Sequence, residues 1–112
     1  MASNWKDIID ELPGQIGTKT KEDAKGFIDQ LLNDNNDFAQ RQGKKITAYL
    51  SEYAAGELTA DELKECIADV ARLMRIQAEE ESATGKQKLQ GLATEIGTIL
   101  LKRLIAALIA SL

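Results

Sequence analysis

The sequence predicts an all-α fold, an elongated antiparallel helical bundle formed by one domain of residues 1–112. Composition is the first reason, because the 112 residues include a single proline, only 4% are aromatic, and helix-favouring residues are abundant. Apolar residues also recur every three or four positions over most of the chain, as on one face of a helix. We therefore expect a short N-terminal helix and three long helices, over about 3–12, 21–55, 60–82 and 85–111.

The N-terminal helix is predicted from one short apolar stripe. Ser3 is a residue type that caps helix N-termini. The apolar residues that follow are spaced i, i+3, i+4 and i+7, and they are Trp5, Ile8, Ile9 and Leu12. Pro13 disfavours helical geometry at the residue before it, so the helix should end near residue 12.

The second helix is predicted to run through a polar segment. The five residues 33–37 are all Asn or Asp, which disfavours a helix by about 3 kcal/mol relative to alanine, and Gly43 adds about 1 kcal/mol. At about 100° per residue, however, the apolar residues from Ala24 to Tyr53 keep one phase across this segment. That phase favours one continuous helix over 21–55, roughly 50 Å long at 1.5 Å per residue.

Two polar residues lie at the centre of the apolar stripe in such a helix. These are Asn35 and Gln42, and both are candidate interface residues. Polar residues within a helical seam can fix the register or the oligomeric state, at some cost in stability. The alternative is a water-accessible gap in the packing, because buried polar groups often recruit water.

The third helix has the clearest start signal in the chain. Thr59 and Glu62 form a capping box, and the connection of about four residues before it makes the second and third helices an antiparallel hairpin. The apolar stripe of this helix includes Leu63, Cys66, Val70 and Leu73. Ile76 falls off that stripe.

The fourth helix becomes almost entirely apolar at its end. At α-helical winding its apolar arc there exceeds half of the circumference, so this surface must be covered. It can be the central helix of the bundle, it can pack against a second copy or another protein, or it can lie on a membrane surface. The run of about 14 residues is too short to span a bilayer. The candidate interface residues here are Ile99, Leu101, Ile105, Leu108, Ile109 and Leu112.

Composition excludes several kinds of chemistry. The chain has no histidine and one cysteine, which removes Ser-His-Asp and Cys-His catalytic sites and zinc sites of Cys/His or Cys₄ type. Cys66 lies within an apolar stripe, as a buried hydrophobe would. The net charge is −4, and basic residues such as Arg41, Lys44 and Lys45 have acids or amides nearby, so we expect a solvated surface there and no nucleic-acid binding.

These observations predict a non-enzymatic interaction or assembly protein without a metal or cofactor. We expect it to self-associate, or to bind another protein, through the apolar C-terminal helix. The alternative is a peripheral membrane protein that places this helix on lipid. One cysteine fits a reducing compartment and the N-terminus does not resemble a signal peptide, so we expect a cytoplasmic location. A small ligand between the helices is not excluded.

Overall fold

The computed structural model describes residues 4–112, and all regular structure within them is helical. A 3₁₀ turn (Gly14–Ile16) precedes α2, and a π-helical segment (Ile96–Ile105) joins α5 to α6 with helical backbone angles at both junctions. Residues 83–110 therefore form one continuous element, called the C-terminal helix below. The six α-helices are α1 (Trp5–Asp10), α2 (Thr18–Leu32), α3 (Asp37–Ala54), α4 (Ala60–Ala78), α5 (Ala83–Glu95) and α6 (Ala106–Ala110).

The helices pack as an antiparallel bundle, which confirms the predicted fold class. Consecutive helices α2, α3, α4 and α5 contact one another in sequence across short connections, so their directions alternate. The C-terminal helix packs against α4 and α2, and α1 covers α2 and α3. The core takes apolar side chains from every helix, and those from the second half of the C-terminal helix are Ile96, Leu100, Leu104, Ile105 and Leu108.

The predicted continuous helix over 21–55 is wrong. The longest dimension of the molecule is 41 Å, shorter than that helix would be, because α2 and α3 fold back on each other. The Asp34 carboxylate accepts a hydrogen bond from the Asn36 backbone N–H at 2.8 Å, and the Asn36 side chain caps α3 by accepting from the Ala39 N–H at 3.0 Å. Asn and Asp side chains compete for backbone groups in this way. The apolar stripes of α2 and α3 have the same phase by coincidence, because each helix needs its own core-facing stripe.

Polar contacts fasten this α2–α3 loop to the rest of the bundle. Lys88 of α5 donates hydrogen bonds to the Asp34 carboxylate at 2.8 Å and to the Asn35 amide oxygen at 2.9 Å. The Asn36 amide donates to Glu81, just beyond α4, at 3.3 Å. The Asp34 side chain is only 7% exposed. The run of Asn and Asp residues is thus a docked turn, and its side chains have partners on two other elements.

Gly43 lets α3 approach the end of α2 closely. A Cβ atom at this position would lie 2.9 Å from the Leu31 Cβ and 3.2 Å from the Leu32 backbone nitrogen. One turn away, the Gln40 side chain donates a hydrogen bond to the Leu32 carbonyl at 3.0 Å and so completes the end of α2. The helix-disfavouring glycine is therefore required by packing between the two helices.

The observed N-terminal cap agrees with the predicted one at the start of α4 and differs from it at the start of α1. Thr59 and Glu62 form the predicted capping box at the start of α4. At the start of α1, the side chain of Asn4 accepts a hydrogen bond from the Lys6 N–H at 2.6 Å and is the cap. The predicted cap, Ser3, lies outside the described residues.

The π-helical segment changes which side chains of the C-terminal helix face the core. A π-helix bonds residue i to i+5, so each turn holds more residues than in an α-helix. The buried positions Ile96, Leu100 and Leu104 recur four residues apart, and the buried Ile105 follows Leu100 by five. At α-helical winding Arg103 would share a face with Ile96. In the structure it forms an ion pair with Asp23 of α2 at 2.9 Å. The wide apolar arc inferred from the sequence is a consequence of assuming α-helical winding.

Candidate protein-binding surface

The C-terminal helix offers little apolar surface to a partner. Ile105 and Leu108 are fully buried in the protein's own core, so these two candidate residues are not free to form an interface. Ile99, Leu101 and Ile109 are half-buried and pack against that core. Of the six candidates near the C-terminus, only Leu112 is well exposed, at 78%. Of the three interpretations of the tail, these contacts favour a central helix of the bundle.

The other two candidates, Asn35 and Gln42, do not share a helix. Asn35 is exposed in the α2–α3 loop, where its oxygen accepts from Lys88, so its predicted place in an apolar stripe is wrong. Gln42 does lie among apolar neighbours on α3 and is 3% exposed. Its side-chain oxygen has no hydrogen-bond partner anywhere in residues 4–112. Asn35 is therefore a surface residue, whereas Gln42 is a buried polar residue.

The antiparallel register of α3 and α4 determines which surface residues become neighbours. At one end, Asn36 is hydrogen-bonded to Glu81. Further along, Tyr49 lies near Cys66: burial raises the pKa of Tyr49, and the Cys66 thiol acts in the same direction. Between these two points, residues 41–45 of α3 run beside residues 72–76 of α4.

Two large apolar side chains are exposed on α4 at this level. Leu73 is 37% exposed and Ile76, one turn later, is 54% exposed. Leu73 lies seven residues after Cys66 and therefore shares the α3-facing side of the helix. On α3, the half-buried Phe38 and the exposed Lys45 are seven residues apart and share one side as well.

Positive charge accompanies these apolar residues. The Arg41 guanidinium lies 5.9 Å from the centroid of the Phe38 ring, close enough for a cation–π contact. Neither Arg41 nor Lys45 forms an ion pair with any residue of 4–112, and the same holds for Lys44 and Arg75 nearby. Seven other Lys and Arg side chains do have carboxylate partners. We name the surface formed by Phe38, Arg41, Lys45, Leu73 and Ile76 the α3–α4 seam.

The single cysteine is not an activated nucleophile. Burial raises the pKa of the Cys66 thiol, and the carboxylates of Glu52 and Asp69 raise it further. A neutral thiol is a poor nucleophile and a poor metal ligand. Within the described part of the chain, no three His, Cys, Asp or Glu side chains are grouped closely enough to hold a metal ion.

A depression between α1 and the end of α3 does not resemble a ligand site. Its volume is about 190 Å³, below the roughly 300–1,000 Å³ typical of small-molecule pockets. It is shallow, and its lining is about as polar as it is apolar, with Ile8, Leu12 and Ala54 beside Glu11 and Tyr53. We therefore place the candidate site on the seam.

One feature of the sequence indicated the α3–α4 seam, but it did not identify the whole surface. Ile76 fell off the apolar stripe of its helix, as an exposed apolar residue does. Leu73 was assigned to the core face by its spacing, but it lies at the edge of that face. Arg41 and Lys45 were predicted to lie on a solvated surface, but the sequence does not show which residues of α4 are their neighbours. These neighbours follow only from the register of the α3–α4 hairpin.

Comparison with known proteins adds no functional information. Searches against family models, curated proteins and solved structures found no match for this chain. Within residues 4–112, none of the helices is both long enough and apolar enough to cross a membrane. A function must therefore be argued from the geometry of the surface.

Proposed function

We propose that this chain is a non-enzymatic helical protein that binds another protein through the α3–α4 seam. The observation that carries the proposal is the exposure of Leu73 and Ile76 one turn apart, at the level of Arg41 and Lys45, which form no ion pair within residues 4–112. Apolar anchors with a polar or charged rim are the usual anatomy of protein interfaces. The proposal keeps the predicted class of function and moves the contact surface away from the C-terminal helix.

The size of the seam supports a transient complex. An obligate homodimer usually buries more than about 2,000 Å² of mostly apolar surface. Two partly exposed aliphatic side chains and the edge of Phe38 supply much less than that. Arginine and aromatic residues are enriched in the energetically important centres of interfaces, which fits the Arg41–Phe38 contact.

Site-specific photo-crosslinking tests the surface directly. A photoreactive phenylalanine derivative would replace Ile76, and in a matched control it would replace Gln90, which is exposed on α5. We expect a discrete adduct from position 76 in cells that express the protein and none from position 90. Equal crosslinking from both positions, or none from position 76, would contradict the proposal.

The solution mass tests whether the partner is a second copy. We expect a monomer by size-exclusion chromatography with light scattering across a dilution series. A dimer that Leu73→Glu together with Ile76→Glu dissociates would place a second copy on the seam. A dimer that these substitutions leave intact would show that another surface mediates association, and would overturn the assignment.

A further inference from the structure

We propose that the segment bound at the α3–α4 seam is a short acidic amphipathic helix of another protein. This inference rests on the proposed function and names the chemical class of its partner. The seam has an apolar centre on α4, an aromatic edge on α3, and two cations on α3, Arg41 and Lys45. A helix with a few apolar residues on one face and carboxylates beside them complements all three features.

The charges near the seam determine whether the partner should be acidic or basic. Arg41 and Lys45 lie on the seam, and both lack carboxylate partners in residues 4–112. Arg72 is already paired with Asp69 on its own helix. The protein as a whole is acidic, with a net charge of −4, so this basic band is a local departure. Carboxylates on a partner would complete the missing ion pairs.

One side chain of the seam is already arranged for binding. The Arg41 guanidinium lies 5.9 Å from the centroid of the Phe38 ring, within the range of a cation–π contact, which favours some conformations of this long side chain over others. A guanidinium held in this way loses less conformational entropy when it binds a carboxylate. In general, the side-chain ridges of a third helix can pack along the line where two antiparallel helices meet.

The acidic residues on either side of the band favour a short protein segment over an extended anionic surface. Glu79 and Glu80 follow α4 at one end, and Glu52 and Glu62 lie towards the other. A membrane or a nucleic acid would extend past the basic band and meet these carboxylates. A helix of two or three turns would fit within it.

Three synthetic helical peptides with the same Leu and Ile spacing provide the test. Their flanking positions carry Glu in the first, Gln in the second and Lys in the third. Binding would be measured by fluorescence anisotropy, and amide NMR shifts would locate the bound peptide. We expect the Glu peptide to bind, to shift amides near Leu73 and Ile76, and to weaken as salt increases, because rim charges are screened.

Charge-reversal variants separate a local effect from a global one. Arg41→Glu with Lys45→Glu should weaken binding of the Glu peptide by about tenfold, which corresponds to about 1.4 kcal/mol. Lys64→Glu with Lys102→Glu makes the same change in net charge elsewhere, at exposed cations that form no ion pair within residues 4–112. This control should change the affinity by less than about threefold, a difference of under about 0.7 kcal/mol.

The outcomes distinguish the two proposals. If the Gln or Lys peptide binds at the seam as well as the Glu peptide, the acidic partner is wrong and the binding surface stands. If no peptide shifts seam amides and position 76 gives no crosslink, both proposals fail. Sedimentation with anionic vesicles, abolished by the Arg41 and Lys45 changes, would replace the protein partner with a lipid surface.

Discussion

At the scale of single residues, two adjacent positions of α3 have opposite effects on stability. Gly43 has no side chain because the end of α2 occupies the space that a Cβ atom would need. Gln42 has a polar side chain that is buried, with an oxygen that finds no partner in the described structure. The first residue is required by packing, and the second lowers stability.

Substitution of Gly43 by alanine should destabilise the protein by about 1–3 kcal/mol, because backbone atoms of α2 must move. Urea unfolding measures the change. The matched control is Gly26→Ala in α2, where a Cβ atom would have no neighbour within 4 Å. That variant should be stabilised by about 0.4–1 kcal/mol. Equal effects at the two positions would refute the close approach.

Substitution of Gln42 by methionine keeps the shape of the side chain and removes the unpartnered oxygen. A buried polar group without a partner costs about 1–3 kcal/mol, so Gln42→Met should raise the unfolding free energy by about 1 kcal/mol or more. A loss of stability would mean that the amide is hydrogen-bonded in solution, for example to a trapped water.

At the scale of elements, the sequence predicted helices well where local signals and core contacts agree. The capping box at Thr59 fixed the start of α4 because its partners are three residues apart in the chain. The turn over residues 33–36 was missed because the shared phase of the flanking apolar stripes was given more weight than the local preference of Asn and Asp for turns and caps. The π-helical segment was missed because a 3.6-residue period was assumed throughout. The seam depends on two elements together, so neither helix alone could reveal it.

The link between α5 and the α2–α3 loop should contribute measurably to stability. Lys88→Met leaves the Asp34 carboxylate, 7% exposed, without its cation, and should cost about 1–3 kcal/mol. Hydrogen exchange should also speed up at residues 33–36. The control is Lys86→Met, which breaks an exposed ion pair with Glu79 and should cost less than about 1 kcal/mol. Similar losses from both variants would argue against a docked loop.

At the scale of the whole molecule, the C-terminal helix is a structural centre of the bundle. Truncation after Thr98 would remove Leu100, Leu104, Ile105 and Leu108 from the core. Each such loss costs about 2–5 kcal/mol, and a domain has only about 5–15 kcal/mol in total, so the truncated chain should be unfolded by circular dichroism. Removal of the exposed Leu112 alone should change little. A cooperative thermal transition in the longer truncation would show that the tail is dispensable.

The π-helical winding of residues 96–105 should also allow the fold to tolerate a one-residue deletion within this segment. Each i→i+5 hydrogen bond encloses one residue more than an α-helical bond, so a single deletion there can be absorbed by local rewinding. A deletion inside α4 would instead rotate every later side chain of that helix by about 100° relative to the core. Deleting Thr98 should therefore leave a folded protein, whereas deleting Asp69 should not, as amide NMR spectra of the two would show. Related sequences that differ by one residue in this stretch could then share the same core.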